Sequence, residues 1–117
     1  MDFVVIAVIL VVFGYLLFGR PKPDVDGETA RALIEDEGAT LLDVRSPSEF
    51  AGGHLPNAVN IPVAELGRRL DELGSAKDEG RPIIVYCQSG MRSAHAKREL
   101  LRSGFERVHD LGSRHRW

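Results

Sequence analysis

The chain has 117 residues, a formal net charge of −2 and a pI near 6.1, which fits one domain of ordinary size and leaves no basic footprint for nucleic acid. Its single cysteine excludes an internal disulfide, and the histidines at 54, 95, 109 and 115 share no metal-ligand spacing. No metal or other cofactor is expected.

Residues 3–19, "FVVIAVILVVFGYLLFG", carry no charge. At 1.5 Å per residue they span roughly 26 Å, close to the ~30 Å hydrocarbon core of a bilayer. A secretory leader would need a basic start and a small-residue cleavage site, whereas this chain opens Met-Asp. A core helix is seldom apolar all round. The expectation is therefore a single transmembrane helix over 3–19 with the lipid bilayer as partner. Arg20 and Lys22 follow it and no Lys or Arg precedes it, so the N-terminus is expected outside and the remaining chain in the cytoplasm, at the inner (plasma) membrane. A reducing cytosol suits a lone thiol.

Residues 20–25 read as a short stiff linker, because Pro21 and Pro23 resist helix. A domain over 26–117 follows. "DGETARALIEDEG" predicts a helix with Asp26 as N-cap and Gly38 as stop. "ATLLDV" (39–44) reads as a buried strand, "SPSEFAGGHLPNA" as loop with one helical turn, and "VNIP" as a short strand. Val63, Leu66, Leu70 and Leu73 stand at helical spacing and predict a helix over 63–74, before the polar loop "SAKDEGR". "PIIVYC" (82–87) is the most strand-like run, "RSAHAKRELLRSG" (92–104) predicts a helix, and "ERVHDL" a last strand. Strands alternating with helices imply a mainly parallel sheet, whose ligands bind beyond the carboxyl ends of its strands. Cys87 stands at such an end.

"CQSGMRS" joins that strand to the next helix. Gly90 permits a tight turn with positive φ. A loop of this kind turns its N–H groups inward, and the helix adds its positive end. The result is an anion cradle with a sulfur at its base, an environment that favours the nucleophilic thiolate. The competing reading is a small buried hydrophobe; the polar Gln-Ser-Gly and Arg92 at a strand–helix junction argue against it.

Three stretches resemble the rhodanese family of single-domain sulfurtransferases: "LLDVRSPSEFAGGHLPNAVNIP" (41–62), "IIVYCQSGMRS" (83–93) and "GFERVHDLGSRHRW" (104–117). Their order and nearly complete coverage of the part after the linker carry the likeness. The resemblance implies a parallel five-stranded sheet flanked by helices and, for the host, a bacterium. It implies that Cys87 takes a sulfane sulfur from a donor such as thiosulfate or a persulfide and hands it to cyanide or to a small-molecule or protein thiol. The N–H groups of Gln88, Ser89, Gly90, Met91 and Arg92 would cradle the persulfide. The six residues from Cys87 to Arg92 match the sulfurtransferase loop and not the longer loop of the related phosphatases.

Within that frame Arg92 is expected beside the sulfonate end of thiosulfate or as a support of the loop, and Ser93 as helix cap or hydrogen-bond donor to sulfur. Gln88 and Met91 are uncharged where dedicated thiosulfate enzymes often carry a base, which points toward a persulfide or a protein partner. Asp43, Arg45 and Glu49 read as structural support, Arg45 and Glu49 pairing with each other or with neighbouring loops. His54 reads as a packed loop histidine and His95 as exposed. His109 and His115 show no partner. Ser113 replaces the family's second glycine, and Trp117 either packs on the domain or lies at the rim of the site. A membrane-anchored sulfurtransferase is the leading expectation. The alternatives are a sulfur carrier with little turnover of its own and an inactive interaction domain; the retained cysteine disfavours the last.

Overall fold

A computed structural model describes residues 2–18 and 22–117. Helix α1 covers Phe3–Phe18. The domain then runs α2 Gly27–Glu37, β1 Thr40–Asp43, α3 Pro47–Ala51, β2 Val59–Asn60, two 3-10 turns over Val63–Arg68 and Leu70–Leu73, α4 Ala76–Glu79, β3 Ile83–Cys87, α5 Met91–Arg102, β4 Val108–Ser113 and a closing 3-10 turn Arg114–Arg116. The four strands form one parallel sheet in the order β2-β1-β3-β4.

Alternation along the strands fills both faces of the sheet. Ile83, Val85 and Cys87 of β3 join Leu42, Val44 and Ile61 in a core closed by Leu66 and Leu73 of the 3-10 turns and Ala96 and Leu100 of α5. Ile84 and Tyr86 face the other way, against Leu41, Leu55, Leu111 and Ala30 of α2. Every residue of β3 is buried, which is why this run reads as continuous hydrophobic sequence and not as alternation. Helix α2 is bounded as its sequence predicts: the Asp26 carboxylate accepts the Thr29 N–H at 2.8 Å, and Gly38 closes the helix in the left-handed region.

The sheet has four strands among the described residues, not five. The segment that approaches the free edge of β4 is Asp24–Val25, and both of its N–H groups converge on the single carbonyl of Asp110. Pro23, with no N–H, cannot extend the ladder.

The helix predicted over 63–74 is two 3-10 turns broken at Arg69. A Cβ at Gly67 would lie 2.8 Å from Glu99 Oε1, the tip of a flexible side chain, so the turn sits beside α5. Leu66 and Leu73 are nonetheless buried. The spacing reported burial correctly and helix type incorrectly. The loop assigned to "SAKDEGR" contains the short helix α4, which buries Ala76.

The membrane span expected over 3–19 is not supported. Among the described residues no helix is long and apolar enough to cross a membrane. Sixteen residues of α1 reach about 24 Å, short of a ~30 Å core. Gly19, which closed the expected span, Arg20, which with Lys22 gave the orientation signal, and Pro21 of the linker lie outside the described residues.

Candidate active site

Cys87 ends β3 and is fully buried. Its Sγ accepts the N–H of Gly90 at 3.0 Å and of Ser93 at 3.4 Å. Among the described residues no other N–H donates to this sulfur, so Gln88, Ser89, Met91 and Arg92 form the wall of the loop and Ser93 joins Gly90 as a donor. Gly90 has φ of 102°, a conformation that costs any other residue steric strain. A Cβ there would sit 3.8 Å from the Gly112 Cα, so the loop rests on the end of β4. Ser93 is buried, and its hydroxyl donates to the Gly90 carbonyl at 3.1 Å. The loop is thereby closed on itself at the first turn of α5, whose dipole points its positive end at the sulfur.

Arg92 is held elsewhere. Its guanidinium donates to both oxygens of Glu49, at 2.7 and 3.0 Å. The same Glu49 completes the capping box of α3: its Oε1 accepts the Ser46 N–H at 3.1 Å while Ser46 Oγ accepts the Glu49 N–H at 3.2 Å. Arg92 and the Ser46 N–H together hold the Glu49 carboxyl at about 2, well below the usual carboxylate range. The pair ties the cysteine loop to the loop after β1.

The Arg45–Glu49 pair expected from four-residue spacing does not form. That spacing brings side chains together only within a helix, and α3 begins after Ser46. Residue 45 stands in a bend between β1 and α3, where the Asp43 side chain reaches back to it. The Asp43 carboxylate takes the Arg45 backbone N–H at 2.9 Å, Nε at 3.1 Å and Nη2 at 2.8 Å. Both side chains are buried, at 0% and 2% exposure. Arg45 Nη2 also donates to the Gly53 carbonyl at 2.7 Å, and Asn60 clamps the backbone of the pair by donating to the carbonyls of Asp43 and Arg45. Beneath it, the Tyr86 hydroxyl accepts the Leu55 N–H at 3.0 Å. Desolvation, with the Asp43 carboxylate nearby, pushes Tyr86 up to about 12. Asp43, Arg45 and Tyr86 thus fix the loop over 46–55 against the ends of β1 and β3.

His54 stacks on Phe50 with ring centroids 3.7 Å apart and engages the Phe50 carbonyl through Nδ1 at 2.9 Å. His95 is exposed, and His109 buries Nε2 without a partner among the described residues. Trp117 packs on the α2 side of the core beneath Arg31. It lines a cleft of about 370 Å³ with Thr40, Leu41 and Ile34, at the start of β1 and therefore at the opposite end of the sheet from Cys87.

Two features near the site escape a reading of the sequence. His115 reaches back to the Gln88 side chain, Nε2 to Nε2 at 3.2 Å. Asp110 is buried in β4, accepts the Gly112 N–H at 2.8 Å, and has its carboxyl pushed up by burial. The only hint of the first was Ser113 in place of a glycine, followed by three basic residues.

Fold and site together define an α/β domain that holds a buried cysteine sulfur at the carboxyl end of a central parallel strand, with backbone N–H groups aimed at it from the start of a helix. Residues 26–117 match the model of the rhodanese-like domain, and the chain belongs to that family. It is 40% identical over 73 residues to the uncharacterized protein YqhL of Bacillus subtilis, covering 62% of this chain and 55% of the relative. A protein named sulfurtransferase from Allochromatium vinosum is 33% identical over 89 residues, with 75% of this chain and 79% of the relative covered. Among solved structures, the human single-domain sulfurtransferase TSTD1 superposes with a TM-score of 0.63 at 29% identity, covering 83% of this chain and 93% of that one.

Proposed function

We propose that the protein is a sulfurtransferase that carries sulfane sulfur on Cys87. The observation that supports this most directly is the pair of N–H donors, Gly90 and Ser93, on a buried Sγ at the strand end. The Cys87 thiolate attacks the outer sulfur of a donor such as thiosulfate. The donor's S–S bond breaks, sulfite leaves with the electron pair, and a new S–S bond makes Cys87 a persulfide. Cyanide or a thiolate then attacks the terminal sulfur, and Cys87 departs as thiolate. The N–H groups of the loop compensate the charge that moves onto the outer sulfur at each step, and the Arg92–Glu49 tie keeps them in place without reorganisation. The names of the Allochromatium and human relatives agree with this chemistry.

The test is steady-state transfer from thiosulfate to cyanide by the full chain, with mass spectrometry of Cys87. Turnover that disappears in Cys87→Ser supports the enzyme. A Cys87 persulfide formed without turnover supports the carrier reading. A Cys87→Ser variant of undiminished activity overturns both.

The apolar side chains of α1 are exposed along the helix, from Phe3 at 88% to Leu17 at 55%. Exposed apolar surface on this scale favours lipid or another apolar partner over water. We infer that this end associates with the bilayer, the domain lying on the cytoplasmic side. The protein should pellet with membranes and survive a high-salt wash; release by salt alone refutes the association. In a Cys87→Ser background, a cysteine at position 2 should react with an impermeant reagent in intact cells. Reaction only after lysis reverses the orientation.

A further inference from the structure

The arginines of the loops that border Cys87 and of the closing turn differ in what holds them. Arg92 is engaged by Glu49 and Arg45 by Asp43. Arg116 donates to the carbonyls of Leu111 and Val25. Arg114 is different. It is half-buried, its Nη1 donates to the Gly53 carbonyl at 3.3 Å, and among the described residues no carboxylate lies within 4 Å of its guanidinium.

Its place in the fold gives that charge a use. Ser113, the residue before it, pairs with Cys87 across β3 and β4. Ser113 Oγ accepts the His115 N–H at 3.2 Å, and the His115 ring meets the Gln88 amide. The Gly53 carbonyl that holds Arg114 is also held by the buried Arg45 at 2.7 Å. The closing turn is therefore fixed at both ends to the loops that border the sulfur, and it presents an arginine whose remaining N–H groups carry no protein anion. Gln88 and Met91, exposed on the cysteine loop, supply no charge.

We propose that Arg114 is the specificity-determining cation of this site: it favours anionic sulfur donors, dianions most, by receiving their oxyanion end while Cys87 attacks the outer sulfur. A guanidinium fork suits a sulfonate's oxygens, and the attraction scales with ligand charge. The His115–Gln88 contact holds the turn in register with the loop. The assignment of donors rests on the sulfurtransferase reading above; the cationic rim itself does not.

The first measurement needs no sulfur transfer. Cys87 is the only thiol, so its alkylation by iodoacetate, an anion, and by iodoacetamide, neutral, can be followed in the full-length protein. The ratio of the two rates cancels any change in the sulfur's own reactivity. In Arg114→Gln the ratio should fall about fivefold, and Arg114→Lys should restore most of it. Arg107→Gln, altered just before β4 at the other end of the sheet, should leave it unchanged. An unchanged ratio in Arg114→Gln overturns the proposal. The second measurement compares thiosulfate, a dianion, with methanethiosulfonate, a monoanion, as donors. Arg114→Gln should raise KM about fivefold for the first and about twofold for the second, with little change in kcat. Equal shifts for both donors, or a loss confined to kcat, would also overturn it. An iodoacetate preference that depends on Arg114 in a protein that transfers no sulfur would keep the rim and dismiss the transferase.

Discussion

Replacing Asp43 with alanine leaves Arg45 charged and buried, with the Gly53 carbonyl as its one remaining acceptor in place of a carboxylate that takes its backbone N–H, Nε and Nη2. At 2% exposure Arg45 cannot recover hydration without moving. Breaking a buried pair by deleting one partner costs about 3–5 kcal/mol, a large share of the roughly 5–15 kcal/mol that holds a domain folded. Asp43→Asn keeps one acceptor for the Arg45 backbone N–H and should lose less, about 2 kcal/mol. Removing both charges in Asp43→Ala/Arg45→Met should recover most of the loss, because apolar groups of similar volume substitute for buried ion pairs with little penalty. Urea unfolding followed by the fluorescence of Trp117, the only tryptophan, reads all three variants. The reasoning fails if Asp43→Ala loses less than about 1 kcal/mol, or if adding Arg45→Met returns nothing.

Gly90→Ala forces a side chain onto a backbone at φ of 102° and should lower stability by about 1–3 kcal/mol while displacing the N–H that serves the sulfur; a drop in kcat/KM of at least about tenfold is expected, read in the thiosulfate assay. Glu49 gives the protein an acid-sensitive element. Its folded value, about 2, lies below the model-peptide value of about 4.3, so the unfolded chain binds the extra proton between them. The stabilisation is present above that upper value and is lost as pH falls toward 2. Urea midpoints measured from pH 5 downward should drop in the wild type and drop less in Glu49→Gln. Tyr86→Phe strips the Leu55 N–H of its acceptor and should cost about 1–3 kcal/mol in the same unfolding assay, with no such loss for Tyr15→Phe on exposed α1.

Much of the architecture was written in local sequence. The run Ile83–Cys87, the Asp26 and Gly38 bounds of α2 and the glycine turn after Cys87 depend on residues within a few positions of one another, so period, cap and turn chemistry suffice to read them. That locality also placed the cysteine at a strand's carboxyl end. What the sequence left undecided involves partners far apart in the chain. Arg92 meets Glu49 across 43 positions, and Gln88 meets His115 across 27. Neither distance follows from any helical or strand period; both arise because a parallel sheet gathers the ends of all its strands at one edge. The structure also departs from the local pattern over 63–74, which folds as two 3-10 turns, and at Asp24–Val25, whose N–H groups meet one carbonyl of β4 without forming a fifth strand. Sequence alone determined which atom is the candidate nucleophile, because one thiol and one turn motif admit little choice. Tertiary structure decided which charges surround that atom and which of them stay free, because pairing among arginines and carboxylates is settled by proximity in space and by the cost of burying a charge alone.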